Sequence, residues 1–259
     1  MTTTSDQLDV DALNAMFETA GPEKIVEWAA AQFGDELVMS SSFGAESALL
    51  IHMAITHRPN VKIIFTDTGY LFPETFTHLE NLRKQFNLNV WTYRTKNDPI
   101  AYLSNSGETD PTWRNNIDAC CAVNKNEPFD RAMKDLAPKA WLRGIRRNQA
   151  DTRKGRAFIE WSSRYNCYAI SPLLNMTSKD IYYYMKQHNL PYHPLYEQGY
   201  LSIGCNPLSC TRPVMPGDDP RSGRWAGSGK IECGLNVEPA TPSEIPSATA
   251  RPGTPGGGV

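Results

Sequence analysis

The sequence predicts an α/β fold built on a mainly parallel sheet. Apolar runs alternate with helix-like segments over the first two thirds of the 259 residues, the pattern of repeated βα units. The runs read as buried strands, and clusters of small, acidic or basic residues follow three of them. Open α/β sheets carry their ligand contacts at such strand ends.

The first strand is expected at 37–41 and the second at 62–66, with further strands at 89–93 and 140–144. Helices are expected at 46–57, 73–86 and 126–136. The second opens on Pro73, which suits a first helical turn because an N–H there would have no intrahelical partner. A helix at 177–188 is marked by Thr177 as N-cap and by Asp180 at the capping-box position, where glutamate is more usual. From Asn189 the texture turns to proline, glycine and turn residues, a loop or lid composition rather than a second core. After Asn236 the segment VEPATPSEIPSATARPGTPGGGV holds five prolines, four glycines and no aromatic residue, and is expected to be disordered. The expected organisation is a helical or polar segment at 1–24, an α/β domain at 25–190, a C-terminal loop segment at 191–236 and a tail at 237–259.

A chain that is 40% hydrophobic and 21% charged has the material for a substantial core. Its net charge of -2 and pI near 6.2 give no general pull toward nucleic acid, although local basic clusters can bind phosphates. No apolar run approaches the roughly 20 residues that span a bilayer. The start, MTTTSDQLDVDAL, lacks the basic-then-apolar pattern of a signal peptide. A cytoplasmic protein without nucleic-acid or membrane partners is expected. Its six cysteines then serve as reduced thiols, metal ligands or catalytic groups rather than structural disulfides.

In VMSSSFGAESALLIHMA, the residues Ser40, Ser41, Ser42, Phe43 and Gly44 lie between a strand and a helix. Small residues let backbone N–H groups and hydroxyls approach a phosphate, and the helix N-terminus adds partial positive charge. The alternative is a plain serine-rich turn, and the GKS/T ending of a Walker loop is absent. IIFTDTGYLFPET ends the next strand on Asp67, Thr68 and Gly69, and WLRGIRRNQADTR presents Arg143, Arg146, Arg147 and Arg153 after a later one. Arginine forks match phosphate or sulfate oxygens; a solvated basic face is the plainer reading of each cluster taken alone.

Cys120 and Cys121 are adjacent in CCAVNK, and Cys205 and Cys210 lie in IGCNPLSCTR. A redox pair, a metal site and small buried hydrophobes are all open readings. Together they are four thiols, the number a 4Fe-4S cluster takes; zinc also takes four, although adjacent ligands are an unusual zinc spacing. Cys233, in KIECGLN, reads either as an incidental thiol or as a nucleophile. Cys167 reads as a buried strand thiol without a role, and His193 as a turn residue rather than a metal ligand.

Taken in order, SSSFGAES, TDTGYLFPET, CCAVNK, GIRRNQADTR, a cysteine pair before TRP, DPRSGRW and ECGLN resemble the assimilatory sulfonucleotide reductases over about residues 25 to 236. These are the adenosine 5′-phosphosulfate (APS) and 3′-phospho-APS (PAPS) reductases, within the adenine nucleotide α-hydrolase-like group. The resemblance implies a doubly wound α/β nucleotide-binding domain with a mobile C-terminal segment carrying a catalytic cysteine. It makes Cys233 the nucleophile that forms an S-sulfocysteine, with thioredoxin or glutaredoxin as reductant. It implies one 4Fe-4S cluster per chain on Cys120, Cys121, Cys205 and Cys210, a feature that tracks in the resembling enzymes with preference for APS. It also implies nucleotide contacts from Ser40, Ser41, Ser42, Gly44, Asp67, Thr68, Gly69, Lys125, Arg146, Arg147, Arg221 and Arg224, with Lys125 linking cluster and substrate.

The expected activity is therefore APS reduction to sulfite and AMP, in sulfate assimilation and cysteine biosynthesis. PAPS, or both nucleotides, is the nearest alternative. An ATP pyrophosphatase on the same sheet is a lesser one, because its SGGxDS loop is matched only in part: Phe43 stands for the first glycine and Glu46 for the aspartate. A non-enzymatic iron-sulfur or thiol sensor is another, and a homo-oligomer is left open. Two departures from the family pattern stand out. The second cysteine pair is C-x4-C rather than C-x2-C, so that Leu208 and Ser209 would have to bulge from the loop, and Asn236 replaces the histidine that usually ends ECGLH.

Overall fold

The central strand β1 (Leu37–Ser40) lies between β2 (Lys62–Asp67) and β4 (Ala140–Leu142), parallel to both, so that Met39 faces Ile63 on one side and Leu142 on the other. The computed structural model describes residues 8–96, 117–206, 210–215, 217–225, 228–230, 232 and 234–236. With β3 (Val90–Arg94), β5 (Ile159–Ser162) and β6 (Cys167–Ile170), the strands form one sheet in the order β3-β2-β1-β4-β6-β5. All neighbours are parallel except β5, which pairs antiparallel with β6. The chain winds outward from β1 to β3, then returns to the far side of β1 to make β4. The gap above β1 and β4 is thus the topological switch point, where ligands bind in open α/β sheets.

Side chains alternate across the sheet with the strand period of two. Leu37, Met39, Ile63, Phe65, Ala140 and Leu142 point into one core, and Val38, Ile64, Trp141, Cys167 and Ala169 into the other. The first core is covered by α1 (Val10–Phe17), α2 (Pro22–Phe33), α3 (Ser47–His57), α4 (Pro73–Phe86) and α7 (Ser178–Gln187). The second is covered by α6 (Glu127–Leu136) through Phe129, Ala132 and Met133. Burial on both faces explains why the central strands are unbroken apolar runs. α2 crosses the boundary expected between residues 24 and 25, its Ile25, Val26, Ala29 and Ala30 packed into the sheet.

Local chemistry sets the helix ends. α4 spans the expected 73–86 and stops at Asn87, whose left-handed φ of 52° closes the helix. α7 has the expected capping box, Thr177 accepting from the Asp180 N–H while the Asp180 carboxylate accepts from the Thr177 N–H. α6 begins one residue later than expected. Before it come α5 (Ile117–Cys121) and a π-helical turn (Ala122–Asn126). No helix among the described residues is long and apolar enough to cross a membrane.

Candidate active site

A cavity of about 300 Å³ opens at the switch point. Ser40, Ser41, Ser42 and Gly44 line it from the β1–α3 loop, as the sequence suggests. The Trp141 indole N–H donates to Ser40 Oγ at 2.8 Å and the Phe43 N–H to Ser41 Oγ at 3.1 Å. Both hydroxyls thereby accept from the protein, which favours turning their own protons outward as donors. Phe43, at φ 48°, holds the left-handed conformation that a glycine would take, and its buried ring packs edge-on against Phe65 at 5.4 Å. The N-terminus of α3 has no side-chain cap, and the Ser47 N–H turns back to the Gly44 carbonyl at 3.2 Å, which sets the positive end of the helix dipole beside the loop.

The end of β2 divides its work. Thr68 lines the cavity, accepts from the Tyr70 N–H at 3.2 Å and lies 3.3 Å from Cys205 Sγ. Asp67 and Gly69 are not among the lining residues. The Asp67 carboxylate accepts from Arg94 Nη2 at 2.6 Å and from the Gly69 N–H at 2.9 Å, while Gly69 turns the chain at φ 77°. They shape the loop that presents Thr68.

The arginines after β4 separate likewise. Arg146 lines the cavity; its Nη2 meets Glu46 Oε2 at 3.0 Å, while its buried Nη1 has no hydrogen-bond partner. Burial pushes the Glu46 carboxyl above its ordinary value and Arg146 works against that rise. Arg147 is not among the lining residues: it pairs with Glu18 at 2.8 Å, donates to Asn175 and covers Phe158, pinning α1 to the sheet. Arg143 donates to Ser171 at 2.8 Å and pairs with Glu160. Arg153 pairs with Glu232 through Nη2 at 2.8 Å.

All four paired cysteines line the same cavity. Cys120 and Cys121 come from α5. The following π turn brings Asn124 and Lys125 to the cavity as well, with Asn124 Nδ2 donating to the Cys120 carbonyl at 3.1 Å and lying 3.6 Å from its sulfur. Cys205 is tied to the β2 loop by a backbone bridge to Leu71 and by the Asn206 N–H bonding to Tyr70 O at 2.6 Å. Cys210 packs on Trp225, with Cys120 and Cys205 against the same cluster. Burial pushes the Cys120 thiol up to about 11; the Asn124 hydrogen bond opposes this, and the Cys121 and Cys205 sulfurs add to it.

No group of three or more His, Cys, Asp or Glu side chains among the described residues converges as a single metal ion needs. A cluster takes one thiolate per iron and so accepts a wider set of sulfurs. The donor set, four thiols around one cavity with cations beside them, suits such a cluster. Leu208 and Ser209 lie outside the described residues.

The C-terminal segment closes one side of the cavity. Arg224 donates to the Ile203 and Cys210 carbonyls, both at 3.1 Å, and stacks 4.5 Å from the Trp225 ring centroid. Its guanidinium lies so close over Gly204 that a Cβ there would overlap it. Arg221 lines the cavity and reaches Glu232 at 3.7 Å. Leu235 also lines it, and the Gly234 carbonyl accepts from Arg164 at 2.9 Å. Cys233 and the tail after Asn236 lie outside the described residues.

Cys167 is buried in β6 as expected. His193 is a buried turn residue: Nδ1 accepts from the Leu195 N–H at 3.1 Å, so the proton sits on Nε2, 3.1 Å from Thr75 Oγ1. Sequence reading missed Asn124, Gln149, Trp141 and Trp225 as lining residues. Trp141 carried a signal that could have found it, a tryptophan in a short strand leading into the arginine cluster. Asn124 depends on the π turn, which leaves no mark in the sequence.

Residues 36–213 match the phosphoadenosine phosphosulfate reductase domain family. The chain is 38% identical over 238 residues to a phosphoadenosine 5′-phosphosulfate reductase of Gloeobacter violaceus, covering 90% of this chain and 95% of that protein. It is 36% identical over 229 residues to an adenosine 5′-phosphosulfate reductase of Salinibacter ruber, covering 88% of each. Among solved structures, a phosphoadenylyl-sulfate reductase from Candida auris in a phosphate complex superposes with a TM-score of 0.67 at 26% identity, over 79% of this chain and 98% of that one. The FMN adenylyltransferase of Candida glabrata, at 16% identity and a TM-score of 0.57 over 82% of this chain and 68% of that one, shares the fold alone. With the sheet order, the serine loop and the four-cysteine cavity beside these matches, the chain belongs to the phosphoadenosine phosphosulfate reductase family, the sulfonucleotide reductases.

Proposed function

We propose that this protein reduces adenosine 5′-phosphosulfate to sulfite and AMP, with a dithiol protein such as thioredoxin or glutaredoxin as reductant. The observation that carries the reading is the joining of the serine loop, Lys125, Arg146, Arg221 and all four paired cysteines around one cavity. The serine hydroxyls, the α3 N-terminus and the arginines hold and neutralise the phosphosulfate. The Cys233 thiolate attacks the sulfonate sulfur; an S–S bond forms, the S–O bond to the nucleotide breaks, and AMP leaves with the electron pair. A thiolate of the reductant then attacks the Cys233 sulfur, sulfite departs, and the second reductant thiol resolves the mixed disulfide. Glu232, one residue before Cys233, is buried against Arg153 and Arg221. Gly234 and Leu235, just after it, dock against Arg164 and the cavity wall.

Cys120, Cys121, Cys205 and Cys210 would hold the 4Fe-4S cluster. When bound it would brace the two cysteine segments against each other and adjust the charge near Lys125; the thiol reaction needs no electron from iron. Asp67, Gly69 and Arg147 act by shaping the loops that carry Thr68 and Arg146.

The tandem cysteines favour APS as substrate, while the name of the Gloeobacter violaceus relative favours a second reading, PAPS. Steady-state sulfite release from each nucleotide with reduced thioredoxin tests both: a large kcat/KM advantage for APS is expected, and an equal advantage for PAPS would reverse the choice. Iron and acid-labile sulfide in the anaerobic preparation test the cluster, with about four irons per chain expected. A fully active, iron-free protein would sink it.

A further inference from the structure

Glu46 is the one carboxylate among the described residues lining a cavity otherwise rich in cations, including Lys125, Arg146 and Arg221. A carboxylate in an anion site repels the ligand unless it makes a contact that repays its presence. It does not cap its helix: Glu46 is the N-cap residue of α3, yet no side-chain cap bond forms. Nor does it fully satisfy Arg146, which is 6% exposed. Only Nη2 meets Glu46, through Oε2 at 3.0 Å, while Nη1 stays buried without a partner.

Glu46 Oε1 has no hydrogen-bond partner among the described residues either. The buried Nη1 is shut away from the cavity, so what the pair offers a ligand there is the unused Oε1 acceptor on a residue that lines the wall. A hydroxyl, which can donate, complements that oxygen. A phosphate, which accepts, would face it charge against charge. Acidic residues play this part toward ribose in other nucleotide-binding α/β folds, where an arginine instead admits a phosphate.

We propose that Glu46 is a specificity-determining residue that accepts a hydrogen bond from a free ribose hydroxyl of the nucleotide and discriminates against a phosphate at that oxygen. This rests on the reading that the cavity binds an adenine nucleotide. Calorimetric titration of AMP and of adenosine 3′,5′-bisphosphate into wild type and Glu46→Gln tests it without requiring turnover. The Gln variant is expected to shift the affinity ratio toward the bisphosphate by about tenfold, since it keeps the side-chain volume and removes the charge. If that variant fails to fold by circular dichroism, Glu46→Ala is expected to shift the ratio in the same direction. A folded variant that binds AMP with a ratio within about twofold of wild type overturns the inference alone. Wild-type protein that binds neither nucleotide overturns the reductase reading and the inference together.

Discussion

Phe43 sits at φ 48° in the loop that faces the switch-point cavity, where a left-handed conformation costs a non-glycine residue about 1 kcal/mol. Its fully buried ring is worth more, about 3–5 kcal/mol on truncation. Phe43→Gly is therefore expected to destabilise the protein by about 2–4 kcal/mol despite relieving the backbone, read as a lower midpoint in urea. The neighbouring arginines should part in their effects. Arg146→Ala is expected to raise the nucleotide KM strongly, whereas Arg147→Ala should lower Tm and leave KM nearly unchanged, because Arg147 ties Glu18, Asn175 and Phe158 together away from the cavity. Equal KM effects would contradict that division. Gly204→Ala drives a methyl into the Arg224 guanidinium that links the Cys205 and Cys210 loops. It is expected to weaken nucleotide binding and to lower the iron retained by the purified protein, with iron content as the readout independent of turnover.

At the scale of elements, α4 and the loop after α7 meet through two buried histidines whose rings lie 5.3 Å apart. Burial holds both down, to about 4, with the His193 charge adding to the fall for His78 and Glu74 opposing it for His193. A histidine depressed in the folded state takes up its proton more readily when unfolded. Stability from this contact is thus fully present above about pH 6.5 and is lost as pH falls toward about 4. Urea midpoints across that window are expected to drop for wild type and to drop less for His193→Asn; identical slopes would contradict the coupling. The His193 backbone N–H also donates to the Ala45 carbonyl at 3.2 Å, so this acid-sensitive joint lies against the start of α3, next to the serine loop.

The strands flanking the switch point were legible in the sequence because burial on both faces makes them continuous apolar runs, and α4 because Pro73 opens it; the left-handed Asn87 that closes it was revealed by the structure. β5 was not, since an edge strand of four residues with Trp161 half exposed has no apolar run to read. Residue types at strand ends revealed the serine loop and the arginine cluster. They could not say that Asp67 would be taken by Arg94, or Arg147 by Glu18, because those partners are distant in sequence and fixed only by the fold.

Over the whole molecule, a chain of net charge -2 lines one cavity with Lys125, Arg143, Arg146, Arg153, Arg221 and Arg224 against the single carboxylate of Glu46 among the described residues, so its overall balance hides a cationic wall. The cavity takes one wall from each half of the sheet and a third from the segment after α7, which explains why its parts are scattered from Ser40 to Leu235. The nucleotide KM is expected to rise with ionic strength, but less steeply than for an exposed basic patch, because buried arginines are screened weakly. The central claim is that Cys233 takes the sulfonate from the nucleotide. Mixing the anaerobic protein with APS in the absence of reductant, then mapping the adduct by mass spectrometry, tests it directly. Sulfonate on Cys233, with stoichiometric AMP release and neither event in Cys233→Ser, is the expected result. Sulfonate on another residue, or wild-type sulfite formation by Cys233→Ser once reductant is added, would contradict it.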